Sequence, residues 1–288
     1  MYDPVVYLNG DYLHISQAKV SVLDRGFLFG DGVYEVIPAY GGHMLRLDEH
    51  LRRLQNSLDG IRLHNPLPEP QWREIFQHLL DDSTSEDQYV YLHISRGVAD
   101  TRNHLFPHKV KPTVFVMVSP LLPLAKEKLA TGIAAITLDD IRWHACHIKA
   151  TALLANTLLK QQADDEGAAE AILIRNGYAT EGAASNLFIV KQGILKTPPV
   201  SPLLLPGITR DLVLELAQTH GIATEQVNVS EQDLKTADEI WLTSSTREIM
   251  PVVQLNGESV ANGQAGPIWS KMIDIYQAYK AHLRQGED

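Results

Sequence analysis

The chain has a single cysteine, Cys146, so no intrachain disulfide can form. Its fold must therefore rest on a packed core, and a reducing compartment suits it. Long apolar runs are missing as well. The best one, Val114 to Val118, is far too short to cross a bilayer. Met1 to Tyr7 carries no basic segment followed by a signal-type apolar stretch. The expected location is cytoplasmic, with no membrane partner. Positive charge is scarce: 25 Lys and Arg face 35 Asp and Glu, a formal net charge of -10, which argues against nucleic acid as a partner. The glycine-rich run from Asp24 to Val36 lacks both a phosphate-loop lysine and dinucleotide-type spacing, so it marks tight turns before a strand. His144, Cys146 and His147 match no zinc spacing and have no second ligand pair, so no metal is expected. Repeats and low-complexity segments are absent.

What is present is an ordinary globular pattern. The 288 residues, 44% of them hydrophobic, suffice for one large core or two modest domains. Val5 to Leu13 reads as a hairpin about Asn9-Gly10. Leu47, Leu51, Leu54 and Leu58 set a helix over 48–58, and Trp72, Ile75, Phe76 and Leu79 a second over 72–80. Residues 89–95 and 114–118 read as strands. Ser119 to Lys128, with two prolines, reads as a linker. The second half holds strands at 133–137, 171–174, 187–190 and 238–242. Its helices fall at 151–166, 212–220 and 268–283. The expected class is α+β (mixed α/β), with an N-terminal α/β domain over 1–120, a linker over 121–128 and a C-terminal domain over 129–288.

The stretch from Trp143 to Phe188 carries the chemistry. Lys149 sits in an apolar neighbourhood, where burial lowers an ammonium pKa and prepares it for carbonyl and Schiff-base chemistry. Alone, such a lysine more often snorkels to the surface. Asn176-Gly177 turns a hairpin that brings Glu181 to an irregular strand junction entering a buried sheet. A carboxylate there needs a cationic partner. A protonated pyridine nitrogen is one such partner, and lysine with an acid is the pairing that pyridoxal phosphate requires. Thr209 is suited to cap the helix after Gly207, and Thr243-Ser244-Ser245-Thr246 ends a strand. Both are phosphate candidates, although capping alone accounts for either. Arg96, Arg102 and His104 lie on one loop, which suits carboxylate binding, although on these residues alone an ordinary polar surface loop is the favoured reading.

Taken together, these residues resemble the fold-type-IV pyridoxal-phosphate enzymes. That group holds D-amino-acid aminotransferases, branched-chain aminotransferases and aminodeoxychorismate lyase. The resemblance rests on Asp24-Arg25-Gly26 with Gly30-Asp31-Gly32-Val33-Tyr34-Glu35, on Glu49-His50-Leu51-Arg52-Arg53-Leu54, and on Lys149. It also rests on Thr180-Glu181-Gly182 with Ser185-Asn186, on Gly207-Ile208-Thr209-Arg210, and on Thr243-Ser244-Ser245. It implies a smaller N-terminal α/β domain and a larger C-terminal, cofactor-binding domain with a β-barrel-like sheet core. It implies pyridoxal 5'-phosphate on Lys149 as Schiff-base lysine and proton shuttle, with Glu181 on the ring nitrogen. Arg53, Ile208, Thr209 and Ser245 match phosphate contacts.

Within the group the D-amino-acid subgroup is most similar. Tyr34, Arg102 and His104 match a substrate-carboxylate trap whose Arg-x-His pair reaches in from the partner subunit, so a homodimer with its active site at the interface is implied. Substrates would be D-amino acids such as D-alanine or D-glutamate and 2-oxo acids, exchanged by ping-pong kinetics. Branched-chain L-amino-acid or (R)-amine transamination and the lyase activity are the alternatives. The sequence departs from the pattern in two places. The Arg96–Arg102 loop is one residue longer, which makes Arg96 the alternative to Arg102, and Ala183 and Ala184 replace frequent serines.

Overall fold

A computed structural model of the chain describes residues 3–122 and 129–287. Residues 123–128, most of the expected linker, lie outside the described residues. Two compact units emerge. Unit 1 comprises Met1–Leu122, Ile148–Leu153 and Leu283–Asp288, and unit 2 comprises Pro123–His147 and Leu154–His282.

Unit 1 is a six-stranded sheet with helices on one face. Its strands are β1 (Val5–Leu8), β2 (Asp11–His14), β3 (Gly32–Tyr40), β4 (His43–Met44), β5 (Asp87–Ser95) and β6 (Thr113–Pro120), in the order β2-β1-β6-β5-β3-β4. Ser119 and Pro120 finish β6 rather than beginning a linker. The two residues of the first turn, Asn9 and Gly10, both have positive φ, 55° and 113°, as a tight hairpin turn requires. β3 alternates along its length: Val33, Glu35, Ile37 and Ala39 face inward, while Tyr34 and Val36 are half-buried on the opposite face. Against the inward face pack α2 (Leu47–Gly60) and α3 (Glu69–Asp81), through the leucine and Trp72/Ile75/Phe76/Leu79 stripes expected from their spacing. Asp48 and Glu49 in the first turn of α2 complement its dipole. One helix was not expected. α1 (Arg25–Phe29) occupies the glycine-rich run, with the Asp24 carboxylate capping it through Gly26 N–H and Gly30 ending it at φ 64°.

Unit 2 is a curled ten-stranded sheet, β12-β11-β10-β14-β15-β7-β8-β9-β13, with β16 paired to β15. The ranges are β7 (Ile133–Asp139), β8 (Glu170–Arg175), β9 (Tyr178–Gly182), β10 (Asn186–Lys191), β11 (Ile194–Thr197), β12 (Thr224–Gln226), β13 (Val229–Ser230), β14 (Glu239–Ser244), β15 (Glu248–Leu255) and β16 (Glu258–Ser259). β7 runs parallel to both β8 and β15, so β8 is buried on both faces. Its Ile172 and Ile174 enter one apolar cluster, while Ala171 and Leu173 enter a second, with Leu159 and Ala163 of α4 (Leu154–Asp165). α4 begins three residues later than expected, because Thr151 spends its N–H and its hydroxyl on Gly32 O and Gly30 O. Further α-helices among the described residues are α5 (Ile208–Thr219), α6 (Glu231–Lys235) and α7 (Pro267–Arg284). The Glu239 carboxylate accepts the Ile268 and Trp269 N–H groups at the start of α7. Among the described residues no helix is long and apolar enough to cross a membrane.

Candidate active site

Lys149 belongs to a short extended segment that pairs with β3. Tyr34 N–H donates to Lys149 O at 3.0 Å, Val33 bridges Ala150, and Lys149 N–H donates to Ser57 Oγ at 3.1 Å. With its backbone fixed on both sides, Lys149 sets its Nζ 4.2 Å from the centroid of the Tyr34 ring. The lysine is half-buried rather than buried, because Tyr34 stands on the face of β3 turned away from the helices. Lysine and tyrosine, more than one hundred residues apart in sequence, are thus brought together.

On the other face of β3, Glu35 meets α2. Arg53 donates to it through Nε (2.8 Å) and Nη2 (2.7 Å), and His50 Nδ1 donates to Oε2 at 2.8 Å. All three side chains are at most 6% exposed. Burial pushes the Glu35 carboxyl up, but the Arg53 charge and the hydrogen bonds from Arg53 and His50 outweigh it and hold the group well below the usual carboxylate range. His50 moves the other way. Burial lowers its pKa against the pull of Glu35, and the charges of Arg53 and Lys149 lower it further. Its buried Nε2 has no hydrogen-bond partner. Arg53 therefore has a fixed direction. Sequence reasoning did not see this triad. The three-residue spacing of His50 and Arg53, on one face of a helix, was the available signal.

Arg102 and His104 lie together on an exposed loop, both against Phe29 of α1. The Arg102 guanidinium carbon is 5.1 Å from the ring centroid, and the two rings of His104 and Phe29 are 5.2 Å apart. Arg96 is buried instead. It donates to Asp31 Oδ2 at 2.8 Å and to Ile61 O at 2.6 Å, which engages its guanidinium within unit 1.

In unit 2, Glu181 is 5% exposed. β9 slips register between the partners of Ile172 and Ile174, and a bulge of this kind re-aims the side chains that follow. Glu181 Oε1 accepts Arg142 Nη1 at 2.5 Å, and Oε2 accepts Asn186 Nδ2 at 3.1 Å and Leu205 N–H at 3.0 Å. Burial pushes the Glu181 carboxyl up to about 7 against the pull of Arg142 and the Leu205 N–H. Arg142 is itself held by Asp140, whose side chain is fully buried and also faces Arg175. Arg142 and Asp140 carried no signal in the sequence beyond lying ahead of Lys149.

Asn186 ties this carboxylate to the phosphate candidates. Its Nδ2 also donates to Leu205 O at 2.8 Å, and its backbone pairs with Thr243 on β14. Thr209 lies in the first turn of α5, not at its cap. Gly207 holds that position, with no side-chain cap bond, so the helix start keeps N–H groups available to an anion. Thr243 Oγ1 is buried without a hydrogen-bond partner among the described residues, and Ser245 follows half-buried at the end of β14.

Comparison with known proteins identifies the family and the fold. Residues 32–255 match the family model for class IV amino-transferases. The chain is 40% identical over 263 residues to a D-alanine aminotransferase of Bacillus licheniformis, covering 91% of this chain and 92% of the relative. It is 37% identical over 272 residues to one of Listeria monocytogenes, covering 94% of each. Its fold superposes on the branched-chain amino acid aminotransferase from Escherichia coli with a TM-score of 0.86 at 28% identity, covering 99% of this chain and 96% of that one. The T.th. branched-chain enzyme solved with pyridoxamine 5'-phosphate gives a TM-score of 0.91 at 26% identity, covering 97% and 95%. The chain has the fold-type-IV architecture and belongs to the class IV aminotransferase family.

Proposed function

We propose that this chain is a D-amino-acid transaminase that passes amino groups from D-amino acids such as D-alanine to 2-oxo acids, with pyridoxal 5'-phosphate as cofactor. The observation that carries the reading is Lys149, pinned along β3 with its Nζ beside the Tyr34 ring. The names of the curated relatives support D-alanine as substrate. The donor set fits the cofactor. The uncapped start of α5 at Ile208 and Thr209, the partnerless Thr243 hydroxyl, Ser245 and the pre-aimed Arg53 suit a phosphate. Glu181, its carboxylate fixed by Arg142, Asn186 and the Leu205 N–H, would serve as the counter-charge to a protonated ring nitrogen. Lys149 Nζ would hold the aldehyde carbon. When bound, the cofactor supplies an electron sink for negative charge developing at the substrate α-carbon.

Within that frame Lys149 Nζ takes the α-proton and returns it on the other side of the exchange. Tyr34 limits where that amine can swing. Arg102 and His104 grip the substrate carboxylate, and holding it on one side decides which α-hydrogen faces Lys149. Their exposure on their own protomer supports delivery to the site of a partner protomer in a homodimer.

The test is absorbance of the purified holoenzyme with D- or L-alanine, followed by turnover with 2-oxoglutarate. D-alanine is expected to change the spectrum and to be consumed. The superposition on branched-chain enzymes favours a second reading, an L-transaminase. Turnover of L-leucine with D-alanine untouched would establish that reading and overturn the first.

A further inference from the structure

We infer that Arg25, Asp31 and Arg96 form a clamp that sets the conformation of the 102–106 loop, which makes Arg25 a positioning residue for carboxylate recognition. The inference rests on the proposed role of Arg102 and His104. Asp24, 2% exposed, takes hydrogen bonds from Gly26 N–H, Ser95 Oγ and Thr113 Oγ1, which anchors α1 to β5 and β6. From that fixed base the Arg25 side chain, 4% exposed, turns toward the loop. Nη1 donates to Asn103 O at 2.5 Å and Leu105 O at 3.3 Å, and Nη2 donates to His104 O at 3.4 Å.

Three successive carbonyls of the loop thus converge on one guanidinium, whose Nε donates to Asp31 Oδ2 at 2.7 Å. The same carboxylate oxygen takes Arg96 Nε at 2.8 Å. Arg96 is fixed in turn by the Ile61 and Arg62 carbonyls after α2, and its guanidinium carbon lies 3.7 Å from the centroid of the Phe106 ring. One end of the loop is held by its backbone and the other by an aromatic stack. Phe29 completes the arrangement, with Arg25, Arg102 and His104 all against its ring. A lysine at position 25 would keep the charge facing Asp31 but could not fork to three carbonyls.

Arg25→Lys holoenzyme, reacted with D-alanine in single-turnover absorbance experiments, tests the clamp. The concentration of D-alanine giving half-maximal rate is expected to rise about 10- to 100-fold, the scale on which a displacement of about 1 Å weakens a positioned contact. The limiting rate and the resting spectrum should hold. Phe106→Ala, which removes the half-exposed stack, should move saturation the same way and serves if Arg25→Lys does not fold. An unchanged saturation in both variants, or a fall in limiting rate alone, overturns the clamp. Arg102→Ala measured alongside separates the two levels. If it too leaves saturation unmoved, the role of Arg102 falls; if it weakens saturation while the clamp variants do not, only the clamp falls.

Discussion

Glu35 is a carboxylate lying among the apolar residues of unit 1, and its partners on α2 decide how it responds to pH. Its pKa is depressed in the folded state, so the unfolded chain binds more protons below the ordinary value of about 4.3 and stability rises with pH through that window. The contribution is fully present above that value and is lost as pH falls below it. Glu35→Gln should flatten this acid limb while costing roughly 3–5 kcal/mol at neutral pH, because the buried Arg53 loses the carboxylate that faces it. Urea midpoints collected from about pH 3 to 8 check both. The limb owed to His50, whose lowered pKa makes stability fall below about pH 6.5, should survive in the variant.

Two other residues have predictions of the same scale. Lys149→Ala is expected to lower transamination by about ten-thousandfold, the upper range for losing a proton-transfer group, and undiminished turnover would end the proposal. Glu181→Gln removes the negative charge proposed to face the ring nitrogen. It should slow proton removal from D-alanine and blue-shift the bound cofactor; the hydrogen–deuterium exchange rate of the α-proton reads this directly.

At the scale of elements, the start of α5 depends on a missing side chain. A Cβ at Gly207 would lie 1.8 Å from Asn186 Oδ1, and Asn186 is the link from Leu205 to Glu181. Gly207→Ala should cost roughly 1–3 kcal/mol by overpacking and loosen retention of the cofactor, measurable by dialysis followed by absorbance. Elements of this length were mostly legible in the sequence. Both helices of the first half, their apolar stripes, the Asn-Gly hairpins and the more apolar strands follow from periodicity and turn chemistry, whereas β4, β11, β12, β13 and β15 were not read from the sequence. The short α1 was not, since five residues carry too little periodicity to outweigh three glycines. Motifs singled out Lys149, Glu181 and Tyr34 as candidates, but the placement of the Tyr34 ring beside the lysine was not legible. The Glu35–His50–Arg53 triad, the Arg142–Asp140 support and the Arg25–Arg96 clamp were not. Each joins residues on different elements, and no local pattern records which buried charge will meet which.

For the whole molecule, the division into units has energetic content. Arg284, near the far end of the chain, pairs with Asp87 at the start of β5, and Asp87 is 6% exposed. Arg284→Ala should destabilise unit 1 by roughly 1–3 kcal/mol, below the full value of a buried pair because the arginine side chain is 32% exposed. A lower thermal midpoint with kcat retained is the expected result.

Unit 1 takes its residues from three separated stretches, and the stretch with Lys149 is the middle one. During synthesis the 1–122 stretch is made before residues 148–153 and 283–288, which complete unit 1. The lysine strand therefore docks onto β3 only after the chain has gone out and come back. A nascent or truncated product that stops before that return holds this sheet without Lys149, and on the proposed function it would lack the amine that takes the aldehyde.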